Sequence, residues 1–230
     1  MSMMASQKLW LYVNLSNKNF KIILIIKGNM SGITVRMVTS DSIETAISIA
    51  KDCGILAQSY DFNESNNFSV MEGKDFRQYV GVVHNPYKPK GEELNIKDFM
   101  AFEEIISDLR VLARSTPEDK YLLISGLKEL GNVVALSGNG ADDVNALRKA
   151  DVGFAMGIMG SDIAKDVSDV ILLDDNFGSI VNSIKWGRNI FDIVRKFLQL
   201  VLCINLIFIG ITFLGIFFFF FFLNLFFKEV

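Results

Sequence analysis

Val133-Val134-Ala135-Leu136-Ser137-Gly138-Asn139-Gly140-Ala141-Asp142-Asp143 holds a strand, a turn and the start of a helix in one short stretch. Val133–Leu136 is apolar and partly β-branched, as a buried strand requires, and Gly138-Asn139-Gly140 breaks it. Ala141–Lys149 then reads as helical, with carboxylates at its start, where a helix N-terminus favours negative charge. The same unit recurs on both sides. Ile33–Val38, Arg110–Ala113, Val152–Ala155 and Val170–Leu173 read as strands, and Ser42–Cys53, Pro117–Leu130 and Ser161–Val167 as helices. Strands alternating with helices imply parallel pairing with helices on both faces, a doubly wound α/β sheet. Pro117 suits the first turn of its helix, where its missing N–H has no partner to lose.

Two stretches fall outside this rhythm. Ala57–Lys97 contains the polar Asn63–Asn67 and the turn-forming Pro86-Tyr87-Lys88-Pro89-Lys90-Gly91, and reads as an insertion or long loop on the sheet's edge. Residues 1–27 read as an irregular leader. Their strongest apolar run, Ile22–Ile26, is too short for a secretory signal.

The C-terminal end is chemically different from the rest. Thirteen of the 20 phenylalanines lie after residue 176, so the mean composition conceals two parts. Leu200–Phe227 carries no charge, and Asn205, Thr212 and Asn224 are its clearly polar residues. As a helix it would be about 42 Å long, against the ~30 Å of a bilayer's hydrocarbon core. We therefore expect a transmembrane segment over 200–227, tilted or broken near Gly215, fed by a stalk helix over 179–199. Arg188, Arg195 and Lys196 precede it and Lys228 follows, which puts the preceding domain in the cytosol.

The formal charge of -3 argues against a nucleic-acid partner. Two cysteines far apart, Cys53 and Cys203, exclude a disulfide-stapled scaffold.

In a doubly wound sheet, ligands bind beyond the carboxyl ends of the strands. Three such ends carry polar clusters: Thr39-Ser40-Asp41, the run Arg114-Ser115-Thr116-Pro117-Glu118-Asp119-Lys120, and Ser137–Asp143. Hydroxyls and N–H groups at helix starts suit phosphate oxygens, Arg114 and Lys120 add positive charge, and carboxylates suit Mg²⁺. Each feature also has a purely structural reading. Thr39 or Asp41 can cap a helix, Lys120 can be a solvated lysine, and Gly138-Asn139-Gly140 can be a simple turn. No nucleophile stands out. Asp174 follows a strand without the neighbours that a phosphoryl-accepting aspartate needs, and His84, the single histidine, reads as a surface loop residue.

These segments, in order, resemble calcium-transporting P-type ATPases, the plasma-membrane type most closely. Gly32–Asp41 (GITVRMVTSD) resembles GITVRMVTGD, Leu112–Lys120 (LARSTPEDK) resembles LARSSPxDK, and Val134–Asp143 (VALSGNGADD) resembles VAVTGDGTND. Ala150–Gly157 (ADVGFAMG) and Lys185–Asn189 (KWGRN), the latter like the entry to the fifth membrane helix, extend the match to roughly 28–208. The resemblance implies a partial haloacid-dehalogenase-like phosphorylation domain over 28–178, joined to a membrane helix. It further implies ATP hydrolysis coupled to Ca²⁺ transport across the plasma or a related membrane. By motif position, Thr39, Ser40, Asp41, Arg114, Lys120 and Asp142 would meet phosphate or ATP, Asn139 and Asp143 would lie near Mg²⁺, and Asn205 would supply a Ca²⁺ ligand. An amide in a span equally suits a helix–helix hydrogen bond.

The departures bear on activity. No Asp-Lys-Thr-Gly-Thr, the family's phosphorylated motif, occurs in the 230 residues. Ser40 stands for a glycine, Asn139 for a Mg²⁺-binding aspartate, and Asp142 for an asparagine. The expectation is therefore a segment of such a pump that is inactive alone, or a non-catalytic membrane-anchored module that pairs with a complete pump.

Overall fold

A computed structural model describes residues 9–13, 32–62, 68–84 and 94–226. The chain forms two compact units, residues 1–181 and 182–230.

The first unit is built on a seven-stranded sheet. Its strands are β1 (Leu9–Val13), β2 (Ile33–Val38), β3 (Val70–Glu72), β6 (Val111–Ala113), β7 (Val133–Gly138), β8 (Val152–Met156) and β9 (Val170–Leu172), in the order β3-β6-β2-β1-β7-β8-β9. Every pairing in it is parallel. Between the strands run helices α1 (Ile43–Cys53), α2 (Gly73–Val80), α3 (Phe99–Asp108), α4 (Pro117–Glu129), α5 (Val144–Lys149) and α6 (Asp162–Val167). This is the α/β parallel architecture expected from the alternation of strand and helix patterns.

The leader expected over 1–27 is not wholly irregular. Leu9–Val13 is the central strand, with Leu11 opposite Val35 on one side and Ala135 on the other. Five residues flanked by polar sequence offer too little periodicity to announce a strand. The neighbouring strands supply what the local sequence does not, because a parallel sheet leaves no gap between β2 and β7 unpaired.

The segment 57–97 is likewise more ordered than a loop. It carries β3 on the sheet's edge, α2, and a separate antiparallel pair of β4 (Val82–His84) and β5 (Leu94–Ile96). His84 thus has a strand backbone rather than a loop one. Phe76, Val80 and Ile96 from this segment belong to the main hydrophobic core with Phe102, Ile105, Leu123 and Leu127. Phe76 meets Phe102 edge to face, with ring centroids 6.2 Å apart. Gly126 on α4 permits this approach, since a Cβ there would lie 2.3 Å from Ile96 Cδ1 and 2.6 Å from Phe102 Cζ.

Helix starts follow their capping residues. The Ser42 side chain accepts from the Thr45 N–H at the head of α1, and Gly54 closes that helix in the left-handed region. Thr116 and Asp119 form a capping box at α4, with Pro117 at its first position.

In the second unit the described residues form one helix, the larger part of α7 (Phe177–Phe226), which continues through Gly215 without the break considered above. It is long and apolar enough, by length and composition, to cross a membrane.

Candidate functional site

The order of the sheet reverses at β1: β2, β6 and β3 lie on one side, β7, β8 and β9 on the other. The carboxyl ends of β2 and β7 flank this switch point, where α/β sheets bind ligands. A hollow of about 180 Å³ opens there, lined by Ser40, Ser115, Pro117, Lys120, Asn139, Gly140, Asp142 and Asp143.

Its centre is an ion pair. Lys120 Nζ donates to Asp143 Oδ1 at 2.6 Å, with the two side chains 8% and 2% exposed. The other carboxylate oxygen, Oδ2, accepts the N–H groups of Asn139 at 3.2 Å and Gly140 at 3.4 Å. Gly138 makes this possible, because a Cβ there would lie 2.7 Å from Asp143 Cβ. Lys120 is therefore neither solvated nor idle: α4 delivers it, buried, to the turn after β7.

On the other wall, the turn after β2 is tied to the turn after β6. Thr39 Oγ1 donates to Asp41 Oδ2 at 2.8 Å and accepts the Asp41 N–H at 3.1 Å. The Thr39 carbonyl accepts both the N–H and the hydroxyl of Ser115, each at 2.9 Å, and the Asp41 carbonyl accepts the Arg114 N–H at 2.9 Å. Thr39 is buried and supports this wall from behind Ser115.

Of the residues singled out in the sequence, Ser40, Lys120, Asn139, Asp142 and Asp143 line the hollow. Thr39 and Asp41 brace its wall. Arg114 adopts a left-handed backbone (φ 45°), and its Nε lies 3.4 Å from Glu72 Oε1, its side chain 62% exposed. Asn205 lies in the second unit, exposed on α7.

A further layer escaped the sequence reading. Arg77 on α2 donates to both carboxylate oxygens of Asp119 at 2.5 Å and to Thr116 Oγ1 at 3.2 Å. Asp119 is fully buried and precedes Lys120, so Arg77 holds the first turn of α4 against α2. The Thr-x-x-Asp spacing of Thr116 and Asp119 could have signalled the capping box, but nothing local signals its partner, 39 residues away from Thr116. Ser115 was visible within its cluster but carried no separate signal.

The donors do not make a good Mg²⁺ site. Asp143 is already committed on both oxygens to Lys120 and two N–H groups, Asn139 brings a neutral amide, and a carboxylate cluster would be needed around Asp142. Among the described residues there is no group of three or more His, Cys, Asp or Glu side chains arranged to hold a metal.

No family model matches the chain. Curated proteins do match, in alignments of 196 positions that cover 83% of the chain. The identity is 46% to plasma membrane calcium-transporting ATPase 4 of Homo sapiens, covering 14% of that protein. It is 46% to ATPase 1 of Mus musculus and 44% to ATPase 3 of Homo sapiens, with 15% of each covered. The chain thus spans about one seventh of the length of these relatives. A solved structure described as conformational changes in the catalytic domain of the CPx-ATPase CopB-B upon nucleotide binding aligns at a TM-score of 0.45 and 24% identity, covering 74% of this chain and 45% of that one. The sequence is that of a relative of the plasma membrane calcium-transporting P-type ATPases, matching one segment of them.

Proposed function

We propose that this relative of the calcium-transporting ATPases carries the phosphate-handling end of a pump's phosphorylation domain together with a membrane helix. In a whole pump this part would serve ATP-driven Ca²⁺ movement across the plasma membrane, with the sheet in the cytosol. The observation that carries the reading is the convergence of Ser40, Lys120, Asn139 and Asp143 on one hollow at the switch point of the sheet. There Ser40 would offer its hydroxyl to phosphate oxygens, Ser115 being held by its bond to the Thr39 carbonyl, and the remaining N–H bonds of Lys120 would point positive charge at them. The Lys120–Asp143 pair would hold the turn after β7 in place. The resident chemistry of such a domain needs Mg²⁺ and ATP; Asn139 and Asp142 are the residues nearest to that task, and their donor set is a poor match for the metal.

On this reading the 230 residues form no phosphoenzyme, because the acceptor motif is not among them. The test is radiolabelled ATP with Ca²⁺ and Mg²⁺, supplied to the chain in lipid nanodiscs and quenched in acid. An acid-stable, hydroxylamine-sensitive label on the chain overturns it. Binding at the hollow is tested separately with inorganic phosphate, followed by the amide resonances of Ser40, Asn139 and Gly140. Shifts that saturate, and that weaken in Ser40→Val, support the site.

A second reading has its own support. Asp143 is locked by Lys120 and Asn139 is neutral, which fits a non-catalytic module seated beside a complete pump. Crosslinking in native membranes distinguishes it, since such a module yields a defined heteromeric product.

A further inference from the structure

The turn Gly157–Gly160, between β8 and α6, holds apolar side chains in water. Ile158 is 72% exposed, Met159 63%, and Leu173, just past β9, 82%. The turn is fastened on both sides. Asp175 accepts the N–H groups of Ile158 at 3.0 Å and Met159 at 2.7 Å. The Gly157 N–H donates to the Leu172 carbonyl at 2.8 Å, and a Cβ on Gly157 would stand 3.1 Å from Leu173 Cα, so the turn and Leu173 are neighbours. At the far end the Ser161 N–H donates to the Asn139 carbonyl at 2.9 Å, and a Cβ on Gly160 would lie 2.0 Å from the Met156 carbonyl oxygen. Asp175 itself takes a left-handed backbone (φ 47°), unfavourable for a residue with a Cβ. A turn pinned in this way cannot fold its side chains inward, so their apolar area stays available to a partner.

The rim is acidic. Asp162, Asp166, Asp174 and Asp175 surround these residues in sequence, and Asp162 is 98% exposed. Between Asp151 and Asp175 the single cation is Lys165, which lies 3.6 Å from Asp162. Such a rim repels an anionic lipid surface and an acidic peptide, and attracts lysine and arginine. We propose that Ile158, Met159 and Leu173, with Ile163 on α6, form a docking surface for a cationic amphipathic helix of another polypeptide. Its apolar face covers the pinned turn and its basic residues meet the exposed Asp162, Asp166 and Asp174, while Asp175 keeps the turn's N–H groups. The inference is independent of any phosphate chemistry in the hollow.

The probe is a fluorescein-labelled amphipathic helix of leucine and lysine, about 14 residues or four turns long. It is titrated by anisotropy against the full chain in zwitterionic nanodiscs, with empty nanodiscs as the blank. Saturable binding is expected, with little from a leucine–glutamate version and less from a scrambled leucine–lysine sequence. The double substitution Met159→Ser/Leu173→Ser should weaken binding about tenfold or more, the effect of losing roughly 1.4 kcal/mol of contact. Asp162→Asn/Asp166→Asn should weaken it and flatten its salt dependence. Both changes are on exposed residues and should leave thermal unfolding unaltered. Equal binding by the scrambled or glutamate peptides, or by the Met159→Ser/Leu173→Ser chain, overturns the proposal.

Discussion

Lys120 and Asp143 form a buried ion pair at 2.6 Å that joins the first turn of α4 to the turn after β7. Both residues line the hollow, and both side chains are nearly buried. Removing one partner strands the other, which typically costs about 3–5 kcal/mol. Lys120→Met and Asp143→Leu should therefore each destabilise the sheet domain by roughly that amount in denaturant unfolding. The double substitution should cost much less than the sum. Additive losses would show that the two groups do not act as a pair.

Arg77 and Asp119 make the same kind of argument one layer further out. Asp119 is fully buried, so Arg77→Ala leaves its carboxylate unpaired and should cost several kcal/mol, about 3 or more. Arg77→Lys should recover part of the loss, because an ammonium keeps the charge but sits on a shorter side chain than the guanidinium whose Nη1 makes all three contacts. Chemical denaturation of the three forms reads the order. An Arg77→Ala chain as stable as the unsubstituted one contradicts the clamp.

The central strand marks the boundary of what the sequence disclosed. The strand–helix alternation was readable at β2 and from β6 to β9, where apolar runs end in turn residues, and the three strand-end clusters followed from it; the elements over 70–108, β3, α2, β4, β5 and α3, were not. Leu9–Val13 was not readable, since its place comes from two partners remote in the chain. The same holds for Arg77, whose role depends on α2 packing against α4. Long-range pairing is what a local pattern cannot encode. Leu11→Pro tests the strand directly: it removes an N–H from a strand paired on both sides. We expect a loss of about 3 kcal/mol or more. Hydrogen exchange at Val35 and Ala135 should accelerate, while that at Val82 in the separate antiparallel pair should change less. Unchanged protection would mean that β1 is dispensable.

Asp174 offers a titration. Its carboxylate accepts a hydrogen bond from the Ser179 hydroxyl at 2.6 Å and another from the Asn176 N–H at 3.2 Å. The serine first, then the backbone, holds its pKa below the usual carboxylate range. A carboxylate depressed on folding stabilises the fold above its unfolded pKa and loses that contribution as pH falls through the folded value. Ser179→Ala should move the Asp174 carboxyl resonance to titrate at higher pH and reduce the acid dependence of unfolding. An unmoved titration curve would assign the shift to another cause.

On the proposed reading of α7 as a membrane helix, charge rather than shape sets its orientation. Arg188, Arg195 and Lys196 precede the uncharged stretch and Lys228 follows it, so the sheet domain should stay on the cytosolic side. Replacing the three leading cations by glutamine removes most of that bias and should give mixed orientations. Glycosylation acceptor tags at either end of the chain, translated with microsomes, report which side each end reaches. Ile209→Arg should separately lower insertion, because arginine at a helix centre costs about 2.5–3.5 kcal/mol. If the substituted helix inserts as well as the original, and the glutamine variant keeps one orientation, α7 is not held in the bilayer by its own sequence.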